Sequence, residues 1–318
     1  MQSPPDSTRS PSSNLLLVIT GPTAVGKTAV ASALAKYLRT EIISADSRQF
    51  YREMTIGTAV PSPEVLSLVP HHFIGHLSIT ETYNIYRYEN DVLNLLKELF
   101  THHSVILLTG GSGLYIRAVL YGIDDLPDPD PVLREELHGK LLKEGLGSLQ
   151  EMLAGLDPEY YAEVDRNNPK RLMRAIEVCM ATGSKYSLLR RKTPAARDFT
   201  FLQIGLEIPR DLLYAKINER IDGMMEAGLL EEARALYPCR HLNALNTVGY
   251  KELFEFFDGR ITLEQAVKDI KTHTRKYAKR QLTWFRHDPS IIWMHPDRLT
   301  EMISLVEPRI KGRSPSDS

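Results

Sequence analysis

Apolar and polar residues follow two rhythms over the first 120 positions. Short unbroken apolar runs at Asn14–Thr20 (NLLLVIT), Glu41–Asp46 (EIISAD) and Ser104–Gly110 (SVILLTG) have the length and β-branched content of buried strands. The segments between them carry apolar residues at helical spacing. Ala29–Leu38 reads as a helix that stops near Arg39. Tyr86–Phe100 reads as another, with Leu93, Leu96, Leu99 and Phe100 on one face. After the third run, the glycines of GGSG turn the chain into Leu114–Gly122. The Pro- and His-rich stretch between Asp46 and Tyr86 predicts nothing regular. Repeated strand–helix units predict a parallel sheet with helices on both faces.

The rhythm changes at Asp124–Pro131 (DDLPDPDP), where three prolines with acidic neighbours mark a boundary. From there to about Arg197 the pattern is helical in five segments, 131–145, 146–155, 157–164, 168–183 and 184–192, with no strand. Residues 199–208 (FTFLQIGLEI) then read as a strand returning the chain to the sheet. A long helix over 210–237, kinked near Gly228, follows it. Two more helices and a strand at 291–295 close the pattern. The expected organisation is a core of residues 14–124 and 200–310, a helical insertion at 125–199, and disordered tails at 1–13 and 311–318.

Composition narrows the class. The 318 residues are 42% hydrophobic and 25% charged, as in ordinary soluble proteins. The formal net charge of −1 means that a polyanionic partner must be met by local basic surface. Cys179 and Cys239 lie far apart without CxxC spacing, which fits a reduced, cytoplasmic compartment and no structural zinc. No apolar stretch reaches membrane-spanning length, and the N-terminal segment has no signal-peptide core.

The chemistry begins at Gly21–Thr28. Gly21, Pro22, Thr23, Ala24, Val25, Gly26, Lys27 and Thr28 spell GPTAVGKT, a complete G-x-x-x-x-G-K-[ST] string between a strand and a helix. In that context the loop amides and the helix start attract phosphate oxygens. Lys27 adds a mobile positive charge, and the Thr28 hydroxyl suits Mg2+. The fold expected is therefore α/β, a P-loop NTPase-like parallel sheet core with a helical insertion domain. Asp46 ends the second strand, so its carboxylate faces the same crevice. There it can be a metal ligand, a general base or a helix N-cap, and the residues alone leave all three open. The third strand ends in Thr109, Gly110 and Gly111, without the Walker B acid of many NTPases. Its glycines imply close approach of a ligand or of another backbone, and Ser112 offers a hydroxyl.

The densest basic region is residues 268–287. Lys271, Arg275 and Lys279 recur every fourth residue and form one helical stripe, with Lys276 and Arg280 beside it. Tyr277, Trp284 and Phe285 interleave aromatic surface, although Trp284 and Phe285 read first as core. Such a helix is an electrostatic footprint for a phosphate backbone. A second cluster, Lys170, Arg171 and Arg174, belongs to the insertion, with Glu177 available as a salt-bridge partner. Arg220 is a lone cation on an amphipathic helix, a type that mostly faces solvent. His71–His72 and His102–His103 read as structural or exposed.

Taken together, GPTAVGKT, IISADSRQFYREMTIGTAVP, TGGSGLYIRAVLYG, NNPKRLMRAIEVCMATG, NTVGYKEL and TRKYAKRQLTWFR occur in an order that resembles the tRNA dimethylallyltransferases (tRNA isopentenyltransferases), from about Leu15 to past Arg286. The resemblance implies transfer of a dimethylallyl group from dimethylallyl diphosphate to the exocyclic amine of the adenosine 3′ of the tRNA anticodon. It implies Asp46 as general base, with Thr28, Lys27 and the loop amides on the diphosphate and Arg220 on the same leaving group. Asp46, Ser47, Arg48, Gln49, Ser112, Arg134 and the Lys170, Arg171, Leu172, Met173, Arg174 stretch would line the tRNA. Lys271, Arg275, Lys279 and Arg280 would meet its backbone. The insertion would close over the anticodon stem-loop, and a chain that grips RNA with both its domains is expected to be a monomer.

Three positions depart from the pattern. Val60 stands where the family has lysine, Ser112 where it has threonine, and Phe50 where it has a smaller apolar residue. The absence of the zinc finger of eukaryotic relatives points to a bacterial-type enzyme. An adenylate isopentenyltransferase and a P-loop small-molecule kinase are the competing readings, as is a non-catalytic RNA-binding P-loop protein. Whether the loop also takes ATP stays open.

Overall fold

The computed structural model describes residues 14–190 and 193–310; the two expected tails lie outside the described residues. The helical pattern and strands resolve into β1 (Leu15–Thr20), α1 (Lys27–Leu38), β2 (Ile42–Ser44), α2 (Pro63–Leu68), β3 (His71–His72), α3 (Ile85–Leu99), β4 (Val105–Thr109) and α4 (Gly113–Tyr121). There follow α5 (Pro131–Glu144), α6 (Leu146–Leu156), α7 (Pro158–Glu163), α8 (Pro169–Thr182) and α9 (Tyr186–Leu189). The chain then forms β5 (Thr200–Leu206), α10 (Arg210–Glu226), α11 (Leu229–Leu236), α12 (Tyr250–Phe257), α13 (Leu263–Arg286), β6 (Ile292–Met294) and α14 (Leu299–Ile310).

The six strands form one sheet in the order β3-β2-β4-β1-β5-β6, and every pairing is parallel. β1 lies between β4 and β5, with Leu15 opposite both Val105 and Thr200. All six of its residues are buried, which is why it reads as a continuous apolar run rather than an alternating one. β3 has only two residues, too few for any period, and the sequence pattern misses it. Two of the histidines expected to be structural share one partner: His72 Nε2 of β3 lies 2.6 Å from Glu41, and His103 Nε2, ahead of β4, lies 3.5 Å from the same carboxylate. α2, opened by Pro63, is also missed.

The expected long helix over 210–237 is broken rather than kinked. Gly228 adopts the left-handed conformation (φ 100°), and α11 starts afresh behind it. Packing beneath this region joins Leu213, Ile217 and Ile221 of α10 to Ala266, Ile270 and Ala278 of α13 in the core that also holds β1.

The chain divides into two compact units. The first contains the sheet and takes its residues from the segment ending at Tyr83, from Tyr88–Leu120, and from Ala196 onward. The second is Asn84–Arg87 with Tyr121–Ala195, slightly earlier at both ends than the expected 125–199. The prolines that mark the boundary in sequence come after the chain has already left the sheet. A backbone bond from Ala195 N–H to Tyr121 O (2.8 Å) ties the two ends of the insertion together.

The second unit has its own core of Leu137, Leu149, Leu153, Val164, Leu172, Ala175 and Ile176. Asn168 caps α8 through Arg171 N–H, with Pro169 at the first helical position, and Gly183 ends the helix in the left-handed conformation. Leu172 is wholly buried there, so truncating it to alanine costs about 2–5 kcal/mol.

Candidate active site

The loop after β1 curls around its own lysine. Gly21, Ala24 and Gly26 have positive φ, so the loop turns sharply at three points. Lys27 Nζ donates to Gly21 O (3.1 Å) and Pro22 O (2.8 Å), so the ammonium is folded onto the carbonyls of its own loop. Burial lowers its pKa to about 8; the Asp46 charge opposes that fall and Arg220 adds to it. The Val25 side chain is wholly buried and anchors the loop, while Thr28 is exposed on the first turn of α1.

Asp46 leaves β2 beside this loop. Its Oδ1 accepts from Arg48 N–H (3.1 Å), so it does cap the turn that follows, and its other oxygen has no role in that cap. The rest of the DSRQ segment is held by its neighbours. Ser47 N–H donates to Ser112 Oγ (3.1 Å), which places Ser112 as a brace for the turn. Arg48 Nη1 donates to Asn243 O (3.1 Å) and Ala244 O (2.9 Å). Gln49 Nε2 donates to Thr58 O (3.2 Å) and Ala59 O (3.0 Å). The close approach implied at Gly110 is to backbone: a β-carbon there would collide with the Ala45 carbonyl. Phe50, the bulky departure, is buried and stacks on Tyr88 with ring centroids 5.2 Å apart, filling an aromatic cluster with Tyr83 and Tyr115.

Arg220 faces inward, against the expectation from composition. It lies seven residues after Leu213 and three after Ile217, on the core-facing stripe of α10, and that spacing was the available signal. Its Nη1 donates to Thr23 Oγ1 (3.2 Å), and burial draws its pKa down while Asp46 pushes it back up. Thr23, Asp46 and Arg220 line one cleft of about 420 Å3. The apolar side chains of Ile221, Met224, Leu229, Val248 and Ile270 line the same cleft, as do Arg48, Tyr277 and Arg280. Burial and the Asp46 charge raise the Tyr277 phenol to about 12, against Arg48 and Arg280, so it stays protonated.

Gln281 is the residue that sequence reasoning missed within the basic helix. It is buried, accepts from Thr23 N–H (2.8 Å) and donates to Gly111 O (2.9 Å), joining the phosphate loop to the turn after β4. An uncharged residue inside a cationic run, one turn beyond Tyr277, was the only hint of it.

Several expected contacts are engaged elsewhere. Lys271 pairs with Asp222 (2.5 Å), and Arg275 donates to Asn218 and Thr272 with its guanidinium 5.9 Å from the Tyr214 ring centre. The first half of the α13 stripe is thus knit to α10, while Lys279 and Arg280 are exposed. Phe285 is core as expected, but Trp284 is not: its ring edge lies against Gly113 and nearly half of it is exposed. In the second unit, Arg134 makes a two-pronged pair with buried Glu177 (2.6 and 2.7 Å), and Arg174 donates to Pro127 O (2.9 Å). Leu172 points into the core, which removes its side chain from any RNA-lining role, and Met173 packs against the same core. Lys170 and Arg171 are exposed.

Among the described residues no cluster of three or more His, Cys, Asp or Glu side chains could hold a metal. The Thr28 hydroxyl is of a kind that suits Mg2+, which keeps several waters and binds chiefly through oxygens. No described helix is long and apolar enough to cross a membrane.

Residues 49–288 match the family described as IPP transferase. A tRNA dimethylallyltransferase of Christiangramia forsetii is 51% identical over 291 residues, covering 92% of this chain and 96% of that protein. The tRNA dimethylallyltransferase 1 of Phocaeicola vulgatus is 49% identical, covering 92% and 97%. The solved structure of the full-length tRNA isopentenylpyrophosphate transferase from Bacillus halodurans superposes with a TM-score of 0.69 at 36% identity, covering 94% and 97%. A eukaryotic dimethylallyltransferase acting on tRNA shares the fold, with a TM-score of 0.76 at 23% identity over 96% and 81%.

Proposed function

The chain belongs to the IPP transferase family, and from that premise we propose that it transfers a dimethylallyl group from dimethylallyl diphosphate to the exocyclic amine of the adenosine 3′ of a tRNA anticodon. The observation that carries this reading is one cleft in which a carboxylate, Asp46, and a guanidinium, Arg220, meet the phosphate loop at the head of an apolar wall. Phosphate oxygens fit the loop. A five-carbon chain fits Ile221, Met224 and Val248.

The adenine amine is a weak nucleophile because its lone pair is delocalised into the ring. As its nitrogen bonds to the allylic carbon, the carbon–oxygen bond to diphosphate breaks and the amine proton passes to the Asp46 carboxylate. Lys27 swings from its loop carbonyls to the diphosphate, and Arg220 and the loop amides meet the charge that grows there. Thr28 would hold Mg2+, which when bound adds positive charge to the same oxygens. The target base must leave its stack, at a cost of a few kcal/mol. Exposed Lys279 and Arg280 on the first unit, and Lys170 and Arg171 on the second, are the proposed contacts to the anticodon stem-loop. A cytoplasmic monomer fits this reading.

The test is Asp46→Asn, assayed with labelled dimethylallyl diphosphate and an anticodon stem-loop RNA. Transfer should disappear while RNA binding stays within about threefold, since an amide can cap Arg48 but accepts no proton. Turnover near that of the wild type would remove Asp46 as base.

A further inference from the structure

We propose that Glu232 is a positioning residue for transfer: its carboxylate fixes the loop over residues 55–59 and, through that loop, the segment that carries Asp46. The inference rests on Asp46 being the base, as proposed above.

Glu232 lies on α11 and touches none of the reacting groups. Its Oε2 accepts from Thr55 N–H (3.0 Å), Thr55 Oγ1 (2.6 Å) and Ile56 N–H (2.8 Å). Its Oε1 accepts from Gly57 N–H (2.9 Å) and from the Tyr250 hydroxyl (2.7 Å). Three consecutive backbone amides and two hydroxyls therefore converge on one carboxylate, which has about four lone-pair sites to offer. Burial alone would raise the Glu232 pKa, but the hydrogen bonds from Thr55, Gly57, Tyr250 and Ile56 outweigh it and hold the group below the ordinary carboxylate range. The charge is thus permanent at neutral pH.

The loop needs such a clamp. Thr55 is exposed and residues 56–60 are only half-buried, with Ile56 packed against the core, so packing alone fixes them weakly. Ala59 has φ 52°, a left-handed conformation uncommon for a residue with a β-carbon. At Gly57 a β-carbon would sit 2.6 Å from Cζ of Tyr250, so ring and backbone are in direct contact beside the clamp.

The far side of the loop points toward the site. Gly57, Thr58 and Ala59 line the cleft. Thr58 O and Ala59 O hold the Gln49 amide, Gln49 Oε1 accepts from Ser44 Oγ (3.3 Å), and Ser44 Oγ accepts from Asp46 N–H (3.4 Å). One carboxylate is therefore linked to the base through Gln49 and Ser44. Val60 follows directly, and its N–H donates back to Thr55 O (3.1 Å).

Glu232→Gln keeps the shape but turns one acceptor oxygen into a donor facing N–H groups. In this variant kcat should fall about 10- to 100-fold while KM for dimethylallyl diphosphate stays within about threefold, because the phosphate loop is untouched. A double-mutant cycle with Gln49→Ala supplies the readout that a purely structural role would not move. If the two residues act in one chain, the double variant should be little worse than the poorer single one. Additive losses, or a wild-type kcat in Glu232→Gln, would overturn the proposal. Should Glu232→Gln fail to fold, Tyr250→Phe removes one of the five bonds; a severalfold loss of kcat at unchanged KM supports the role, and an unchanged kcat overturns it. An active Asp46→Asn variant would instead sink the assignment of the base and leave the measured effect of Glu232→Gln standing by itself.

Discussion

Lys27 and Lys271 are both partly enclosed lysines of the same unit, yet their surroundings differ in kind. Lys271 meets a carboxylate, Asp222, at 2.5 Å, and Arg275 beside it is held by Asn218 and Thr272. Lys27 is parked on two carbonyls, and Arg220 on a single hydroxyl, with Asp46 acting on both as a charge rather than as a bonded partner. A cation already paired at a surface has little field left for a ligand, and such pairs contribute only about 0–1 kcal/mol. A cation enclosed among neutral acceptors keeps its field, and enclosure makes a bound anion the group that completes it. On the proposed reading the Lys27–Arg220 pair meets the diphosphate, and the Lys271–Arg275 pair serves architecture.

The strongest way to break that contrast is to remove the enclosed guanidinium. Arg220→Ala should lower kcat/KM about 100- to 1000-fold, the usual cost of one donor to a developing charge, with RNA affinity nearly unchanged. Lys271→Ala in the same assay should stay within about threefold. Equal losses in the two variants would erase the distinction.

Gln281→Ala should come next. It leaves Thr23 N–H and Gly111 O without their buried partner, costs about 1–3 kcal/mol in a denaturant melt, and lowers kcat/KM roughly tenfold as the loop loses its brace. A stable variant with full activity would show that the loop holds its shape unaided.

A pH series probes Lys27 directly. Its folded pKa, about 8, lies below the unfolded value of 10.5, so the free protein sheds that proton as pH rises through 8. An anion in the loop favours the charged form, so KM for dimethylallyl diphosphate should be flat up to about pH 8 and then rise by up to about tenfold per pH unit. Lys27→Met should abolish the rise. For stability the sign is opposite. Between pH 8 and 10.5 the unfolded chain binds more protons at this site, so the unliganded protein gains stability with pH over that window.

What was readable in the sequence depended on how local the cause was. β1, the phosphate loop and α1 are consecutive, and one motif with its flanking apolar run specifies all three. β3 could not be read, because its two residues are strand only by pairing with Ile42 and Ile43. The basic stripe of α13 was visible as spacing, but Asp222, which pairs with Lys271, lies on another helix and leaves no mark near it. In the second unit Glu177, the rival reading for the Lys170–Arg174 cluster, does pair with Arg174 (3.7 Å), but its two-pronged pair with Arg134, from another helix, leaves no mark in the sequence. Glu232 had no signal at all: one acidic residue among many on a helix, distinguished only by the backbone that folds onto it.

The smallest expected effect divides α13 itself. Its first half is knit to α10, whereas Lys279 and Arg280 are exposed, with the Arg280 guanidinium 5.8 Å from the centre of the Tyr277 ring in the lining of the cleft. Contacts to RNA phosphates release counterions, so each one lost weakens binding modestly and flattens its salt dependence. Lys279→Ala with Arg280→Ala should lower affinity for an anticodon stem-loop about 3- to 10-fold and reduce the slope of log affinity against log salt by about 0.7 per phosphate contact. Lys271→Ala with Arg275→Ala should leave that slope unchanged, because those cations are already held by Asp222, Asn218 and Thr272. If the first-half pair flattens the slope instead, the ion pair with Asp222 opens on binding, and the division of α13 into a packed half and an RNA-facing half fails.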